Sequence, residues 1–354
     1  MDGKYIYGIV TSGAVELPGA GAAPDLAGIY AIPHQNASAA VSDCEMIDYR
    51  NMRKDALALL LVRHQKVIEG IMELGNAIIP VKFGTLACSD AEVRDILVKG
   101  YRLIQEIAPK VRDKIEIDVA VTWKDFGSTL KEIGQGKEIT ELKKAVLSAK
   151  TVTVEDQMKV GLAVKKILDD KKDYHSGLIQ DALKSLSHDC RAHELMDDQM
   201  VMNSAFLISK ARQDEFYARI ESLNSEFSGN MNFRCIGPLP PYSFYTIDIK
   251  KLDFKDLEWA RNQLGVAEEV TTKSEIKRHY HRAAHALHPD KNPDKPGMEK
   301  EFGNAARAYK ILADYCRAGE QTRQTDGGQA GREADISFNE EKFKESAILV
   351  KMTD

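Results

Sequence analysis

The sequence is poor in cysteine, has no long apolar run and carries no excess of basic charge. Its 354 residues hold only five cysteines, Cys44, Cys88, Cys190, Cys235 and Cys316. They are odd in number, far apart, and none forms a Cys-x-x-Cys pair. That excludes a disulfide framework and points to free thiols in a reducing compartment. The longest apolar run, 56–62, is too short to cross a bilayer. The N-terminus, Met1-Asp2-Gly3-Lys4-Tyr5, lacks the apolar stretch of a secretory signal, so a cytoplasmic protein with no membrane partner is expected. A formal net charge of -5 offers no basic field for nucleic acid.

Signatures of site chemistry are just as scarce. The segment Gly19-Ala20-Gly21-Ala22-Ala23-Pro24 lacks the third glycine and the helix of a dinucleotide loop, and Gly136-Lys137 is followed by Glu138 rather than by Ser or Thr. His188, Cys190 and His193 have no obvious fourth ligand and read as a solvated face. His281 and His285 stand one helical turn apart, without the acidic residue of a metalloprotease pattern, and read as surface charge. No catalytic residue, cofactor or metal is expected, and the chain does not read as an enzyme.

What is present is an ordinary globular composition, 43% hydrophobic and 29% charged, at a length of two or three domains. Tyr5 to Val10 reads as a strand, and Ile29 to Ile32 with Ala39 to Ser42 as a hairpin. Leu57, Leu61, His64, Ile68 and Ile71 mark one face of a helix over 54–74. Ala77 to Phe83 reads as a buried strand, and Asp90 to Val111 as a second helix with Val93, Leu97, Tyr101, Ile104 and Ala108 on one face. Lys114 to Trp123 closes a first α+β unit at 1–123. A helical arm with almost no strand signal follows at 124–200. Strands at Val201 to Ile208, Asn232 to Ile236 and Ser243 to Ile249, with a helix at 212–227, make a second α+β unit at 201–250. The prolines of Gly237-Pro238-Leu239-Pro240-Pro241 impose an extended bend. Residues 317–335 read as a flexible linker. The tail 336–354 is either a short helix and strand docking back or a binding tail.

Between 254 and 316 the pattern is all helical. Leu257, Ala260 and Leu264 mark a first short helix. Thr272 and Glu275 form a capping box for a second, whose Ile276, Tyr280, Ala283 and Leu287 share a face opposite Lys277, Arg278 and Arg282. Pro289 forces a stop at His288. A third helix carries Phe302, Ala305, Tyr309 and Leu312 in one stripe. The result is an antiparallel hairpin with an exposed tip and a basic strip. With His288-Pro289-Asp290-Lys291-Asn292-Pro293 between the helices, and Ala308-Tyr309 and Leu312-Ala313-Asp314 in the third, the segment resembles the J-domain of DnaJ-type co-chaperones. The resemblance implies that His288, Pro289 and Asp290, with Tyr280, Arg282, Lys277 and Arg278, dock on a DnaK-type chaperone and trigger its ATP hydrolysis. The basic strip is thinner than that family's, and Glu301-Phe302-Gly303 stands where a Lys-flanked Phe is usual.

Residues 1–250 resemble the gas vesicle protein L/F family. The resemblance rests on Tyr5 to Val10, on Ile79-Pro80-Val81-Lys82-Phe83-Gly84-Thr85, on Asn203 to Ile208, and on Gly237-Pro238-Leu239-Pro240-Pro241-Tyr242-Ser243-Phe244. It implies two small ferredoxin-like α+β domains bridged by a helical arm, ahead of the all-α J-domain. It also implies an accessory or minor structural role in gas vesicle assembly, without catalysis. Pro80, Phe83, Gly84, Gly237, Pro238, Pro240, Pro241, Tyr242 and Phe244 are read as fold-specifying residues. The expected function is that of a gas vesicle assembly factor that recruits a DnaK-type chaperone to shell or other assembly proteins. The alternative is a minor shell component whose J-like hairpin is only a contact module.

Overall fold

The computed structural model describes residues 2–11, 24–46, 49, 52–148, 151–227, 229–268, 272–292, 297–325 and 337–353. The glycine-rich segment 19–24 lies outside the described residues except for Pro24, as do Pro293 and residues 326–336 of the expected linker and tail. The chain divides into two compact units, residues 1–110 with 245–354, and residues 111–244.

The first unit opens with β1 (Asp2–Val10), β2 (Ile29–His34) and β3 (Ala37–Glu45), then α1 (Lys54–Glu73), the short strands β4 (Ile78–Pro80) and β5 (Leu86–Ala87), and α2 (Asp90–Val111). The sheet runs β2-β3-β1-β4, with β5 also on β1, and every pairing is antiparallel. β1 is central, so its Tyr5, Ile6, Tyr7, Ile9 and Val10 are all buried. α1 buries His64, Val67, Ile68 and Ile71. Its first half departs from the expected stripe, because Leu61 is 45% exposed, alongside exposed Leu59 and Val62. Spacing identifies an apolar helical face; whether a neighbour covers its whole length is decided elsewhere in the fold.

The second unit holds β6 (Lys114–Trp123), α3 (Phe126–Gln135), α4 (Lys137–Leu147), α5 (Val154–Lys184), β7 (Asp189–Ala192), β8 (Met200–Ser209), α6 (Gln213–Glu226), β9 (Met231–Leu239) and the single turn α7 (Tyr242–Tyr245). Its sheet runs β7-β8-β6-β9, again antiparallel. β6 therefore does not close the first sheet, as its position in sequence suggests. It is an inner strand of the second, between β8 and β9, with partners beyond the helical arm. Ile115, Ile117, Val119 and Val121 point to one face and are buried, so that face lies on the core, while β8 and β9 pair with the two edges of the strand. β7 is a strand within the stretch expected to be a helical arm with almost no strand signal. Its pairing to β8, not its own Asp-Cys-Arg-Ala composition, holds it extended.

The chain then returns to the first unit with β10 (Ile247–Lys251), α8 (Phe254–Gln263), α9 (Lys273–Leu287), α10 (Met298–Thr325), α11 (Glu340–Glu345) and β11 (Ile348–Met352). β10, expected in the second α+β unit, pairs instead with β11 over Ile247↔Met352 to Lys251↔Ile348. Val81, just past β4, forms a parallel bridge to Ile247. α10 continues through residues 318–325, where a linker was expected, because Ala318 is fully buried and Gln321 is bonded to β11. The tail docks back as helix and strand.

Candidate functional site

α9 begins at a complete capping box. Thr272 Oγ1 accepts from the Glu275 amide at 3.3 Å, and the Thr272 amide donates back to Glu275 Oε2 at 3.4 Å. The helix ends at His288, whose ψ of 129° is extended, as the following proline requires. A single 3₁₀ turn, Pro289–Lys291, forms the tip. Asn292 Nδ2 donates to the carbonyls of Ala286 at 2.9 Å and His288 at 3.1 Å, satisfying groups that the helix end leaves open. The hairpin is held by a core of Leu257, Ala260, Ile276, Ala305, Ala308 and Leu312. Tyr280 stacks on Tyr309 with centroids 4.5 Å apart, and His288 meets Phe302 edge-on at 5.6 Å.

The tip is open. The Asp290 side chain is 87% exposed and that of His288 44%. The Asp290 amide donates to His288 Nδ1 at 3.2 Å, so the neutral imidazole carries its proton on Nε2, facing away from its own backbone. Lys277, Arg278 and Arg282 are exposed along α9. Tyr280 differs from them: it is half-buried against Tyr309 and braces the strip from beneath. Lys291 Nζ contacts His285 Nε2, and the His281 ring lies beside Tyr280 at 5.8 Å. The loop thus presents one carboxylate and one imidazole at the end of a row of cations.

The other motifs are structural in their surroundings. Phe83 packs on Tyr49 at 5.5 Å and on His64 at 5.6 Å. The Gly84 amide donates to Tyr5 Oη at 3.1 Å, and that oxygen lies 2.9 Å from His64 Nδ1. Pro80 is buried opposite Gly8 of β1. In the second unit, Ser243 donates its amide and hydroxyl to the two oxygens of Glu116, at 2.8 and 2.7 Å. Arg191 donates to the Ser243 carbonyl at 2.6 Å and lies over the Phe244 ring at 5.4 Å. A Cβ on Gly237 would fall 2.9 Å from the Glu116 carbonyl oxygen, so the bend passes where only glycine fits. Tyr242 Oη is buried; Pro238 lies in β9 alongside β6, and Pro240 and Pro241 lead from the end of β9 into α7.

Glu116 was not singled out in the sequence, although it anchors this motif. Burial pushes its carboxyl above the ordinary range, against the two hydrogen bonds from Ser243. Asp118, two residues on along the same strand face, is raised by burial as well. The available signal was a pair of acids at i and i+2 in an otherwise β-branched strand. His188, Cys190 and His193 do not converge: His188 Nε2 bonds Ser209 Oγ at 2.7 Å, and His193 Nε2 lies 3.2 Å from Ser243 Oγ.

Comparison with known sequences decides the family. The model described as "Gas vesicle synthesis protein GvpL/GvpF" matches residues 3–246. The chain belongs to the GvpL/GvpF family. A DnaJ domain model matches residues 262–318, so this GvpL/GvpF member carries a C-terminal J-domain. Gas vesicle protein F from a Streptomyces species is 28% identical over 244 residues, 68% of this chain and 98% of that protein. The chaperone protein DnaJ of Nitratidesulfovibrio vulgaris is 44% identical over 74 residues, 19% of this chain and 20% of that protein. The crystal structure of GvpF from Anabaena sp. superposes with a TM-score of 0.58 at 22% identity, covering 69% of this chain and 98% of that one. It supports the fold of the GvpL/GvpF part. Among the described residues, no helix is long and apolar enough to cross a membrane.

Proposed function

We propose that this GvpL/GvpF member is a non-catalytic assembly factor that works at gas vesicles and brings a DnaK-type chaperone to vesicle proteins through its J-domain. The observation that carries the reading is the open tip, with Asp290 and His288 standing clear at the end of the exposed cations Lys277, Arg278 and Arg282. Cations along a docking strip steer a partner, and a tip held by Asn292 and Phe302 presents its carboxylate in one place. Support for the vesicle side comes from α5. Val154, Met158 and Leu162, four residues apart, are 73%, 61% and 68% exposed. An apolar stripe at that spacing suits contact with an apolar client before it assembles.

The test is ATP turnover by the DnaK-type chaperone of the same cell. Wild type is expected to raise the rate, and His288→Gln or Asp290→Asn to leave it at the basal level. Equal turnover with wild type and His288→Gln would reject recruitment. The protein would then stand as a minor shell component, retained stoichiometrically on washed vesicles.

A further inference from the structure

We infer that residues 337–353 form a strap that locks the J hairpin to the sheet and helices before residue 111 in the same unit, so that the tip is held at a fixed place rather than carried on a tether. This goes beyond chaperone recruitment and does not depend on it. The elements concerned lie outside both matched stretches, 3–246 and 262–318: β10 before the J-domain, and the end of α10, α11 and β11 after it.

The strap grips in three directions. Towards the hairpin, Phe343 enters the J-domain core, 5.3 Å from Phe254 and 5.5 Å from Tyr315. Tyr315 Oη donates to the Ser337 carbonyl at 2.6 Å, and Arg261 lies over Phe338 at 5.5 Å. Towards β10, five residues pair in continuous register, extended by the Leu252 amide to the Ala347 carbonyl and the Thr353 amide to the Thr246 carbonyl. Towards α2, Val350 packs so closely on Gly100 that a Cβ there would lie 2.8 Å from Val350 Cγ1.

β10 is tied in turn to the first sheet. The Lys82 amide donates to the Ile247 carbonyl at 2.8 Å, Lys82 pairs with Asp248 at 3.6 Å, and Lys251 with Glu92 at 2.6 Å. Lys250 reaches the buried Asp314 of α10 at 2.9 Å. Gln321 of α10 holds the other margin of β11, donating to the Val350 carbonyl at 2.5 Å and accepting from its amide at 3.1 Å. Hairpin and layer are therefore joined by backbone pairing, an ion-pair set and apolar contacts together. Such a joint opens only when several bonds break at once.

The experiment places two spin labels on the full chain, at exposed Leu59 of α1 and exposed Ala286 of α9, through keto amino acids so that the five cysteines stay intact. A stop after residue 336 strips Phe343 from the hairpin core and so tests folding as much as tethering. The deciding variant is Gly100→Leu with Gln321→Ala, which dislodges β11 and leaves Phe343 in place. Wild type is expected to give one narrow distance distribution and the double variant a broad one. Amide exchange at 348–350 should accelerate by at least about tenfold while α9 keeps its protection. A broad distribution in wild type, or a narrow one in the variant, would overturn the inference. So would loss of α9 protection in the variant, because β11 would then belong to the hairpin's own fold.

Discussion

His64 sits in a box of Tyr5, Tyr7 and Phe83, and burial pushes its imidazole down to about 4 from 6.5. Between those values the unfolded chain binds a proton that the folded unit does not. Stability of the first unit therefore rises as pH climbs from about 4 to 6.5, by roughly 3 kcal/mol. Glu116 has the opposite sign. Its folded carboxyl is raised by burial, so the second unit holds a proton that the unfolded chain has released, and it loses stability as pH rises above the ordinary carboxylate range. Urea melts between pH 4.5 and 8 should show the two transitions moving in opposite directions. His64→Leu should flatten the first slope and Glu116→Gln the second. Parallel shifts of both transitions would contradict these assignments. At Gly237, added side-chain atoms meet backbone rather than a yielding side chain. Gly237→Ala is expected to cost the second unit roughly 1–3 kcal/mol, read as a lower denaturant midpoint.

At the scale of elements, the long helices and most strands were legible, but β7 and the partner of β10 were not. α2 and α9 announced themselves by apolar spacing and, for α9, by the Thr272–Glu275 box. Thr272→Ala should cost about 1 kcal/mol and fray the first turn of α9, measured as faster amide exchange at 275–277. β7 carries no strand-forming residue run, and β10 with β11 is a pair whose members lie about a hundred residues apart in sequence. Pairing over that distance depends on what the intervening fold brings together, which periodicity cannot report. The overrun of α10 to Thr325 was hidden for a related reason. Its Gly-Glu-Gln-Thr composition is polar, and helix is retained there because Ala318, Gln321 and Thr322 face β11 and α11. On α5, the exposed stripe makes a separate forecast. Met158→Glu with Leu162→Glu should leave the unfolding free energy within about 0.5 kcal/mol of wild type and abolish retention on vesicles. Undiminished retention would place the client contact elsewhere.

For the whole molecule, the two modules were legible because their motifs lie in contiguous stretches. Their assembly was not, since β6 and β10 each leave the unit that their sequence neighbours suggest. The tip residues His288, Pro289 and Asp290 fall where the hairpin places them. Glu116 and Asp118 mark β6 as carrying two acids, but nothing in the strand shows that Ser243, more than a hundred residues on, binds the first of them. One further consequence follows from Gln321. Its carboxamide imitates a neighbouring strand, giving the outer rim of β11 the donor and acceptor that another polypeptide would otherwise supply. Removing this one amide alone, with Gly100 kept, should leave β10 and β11 paired and raise self-association as concentration rises, an outcome that light scattering would register directly.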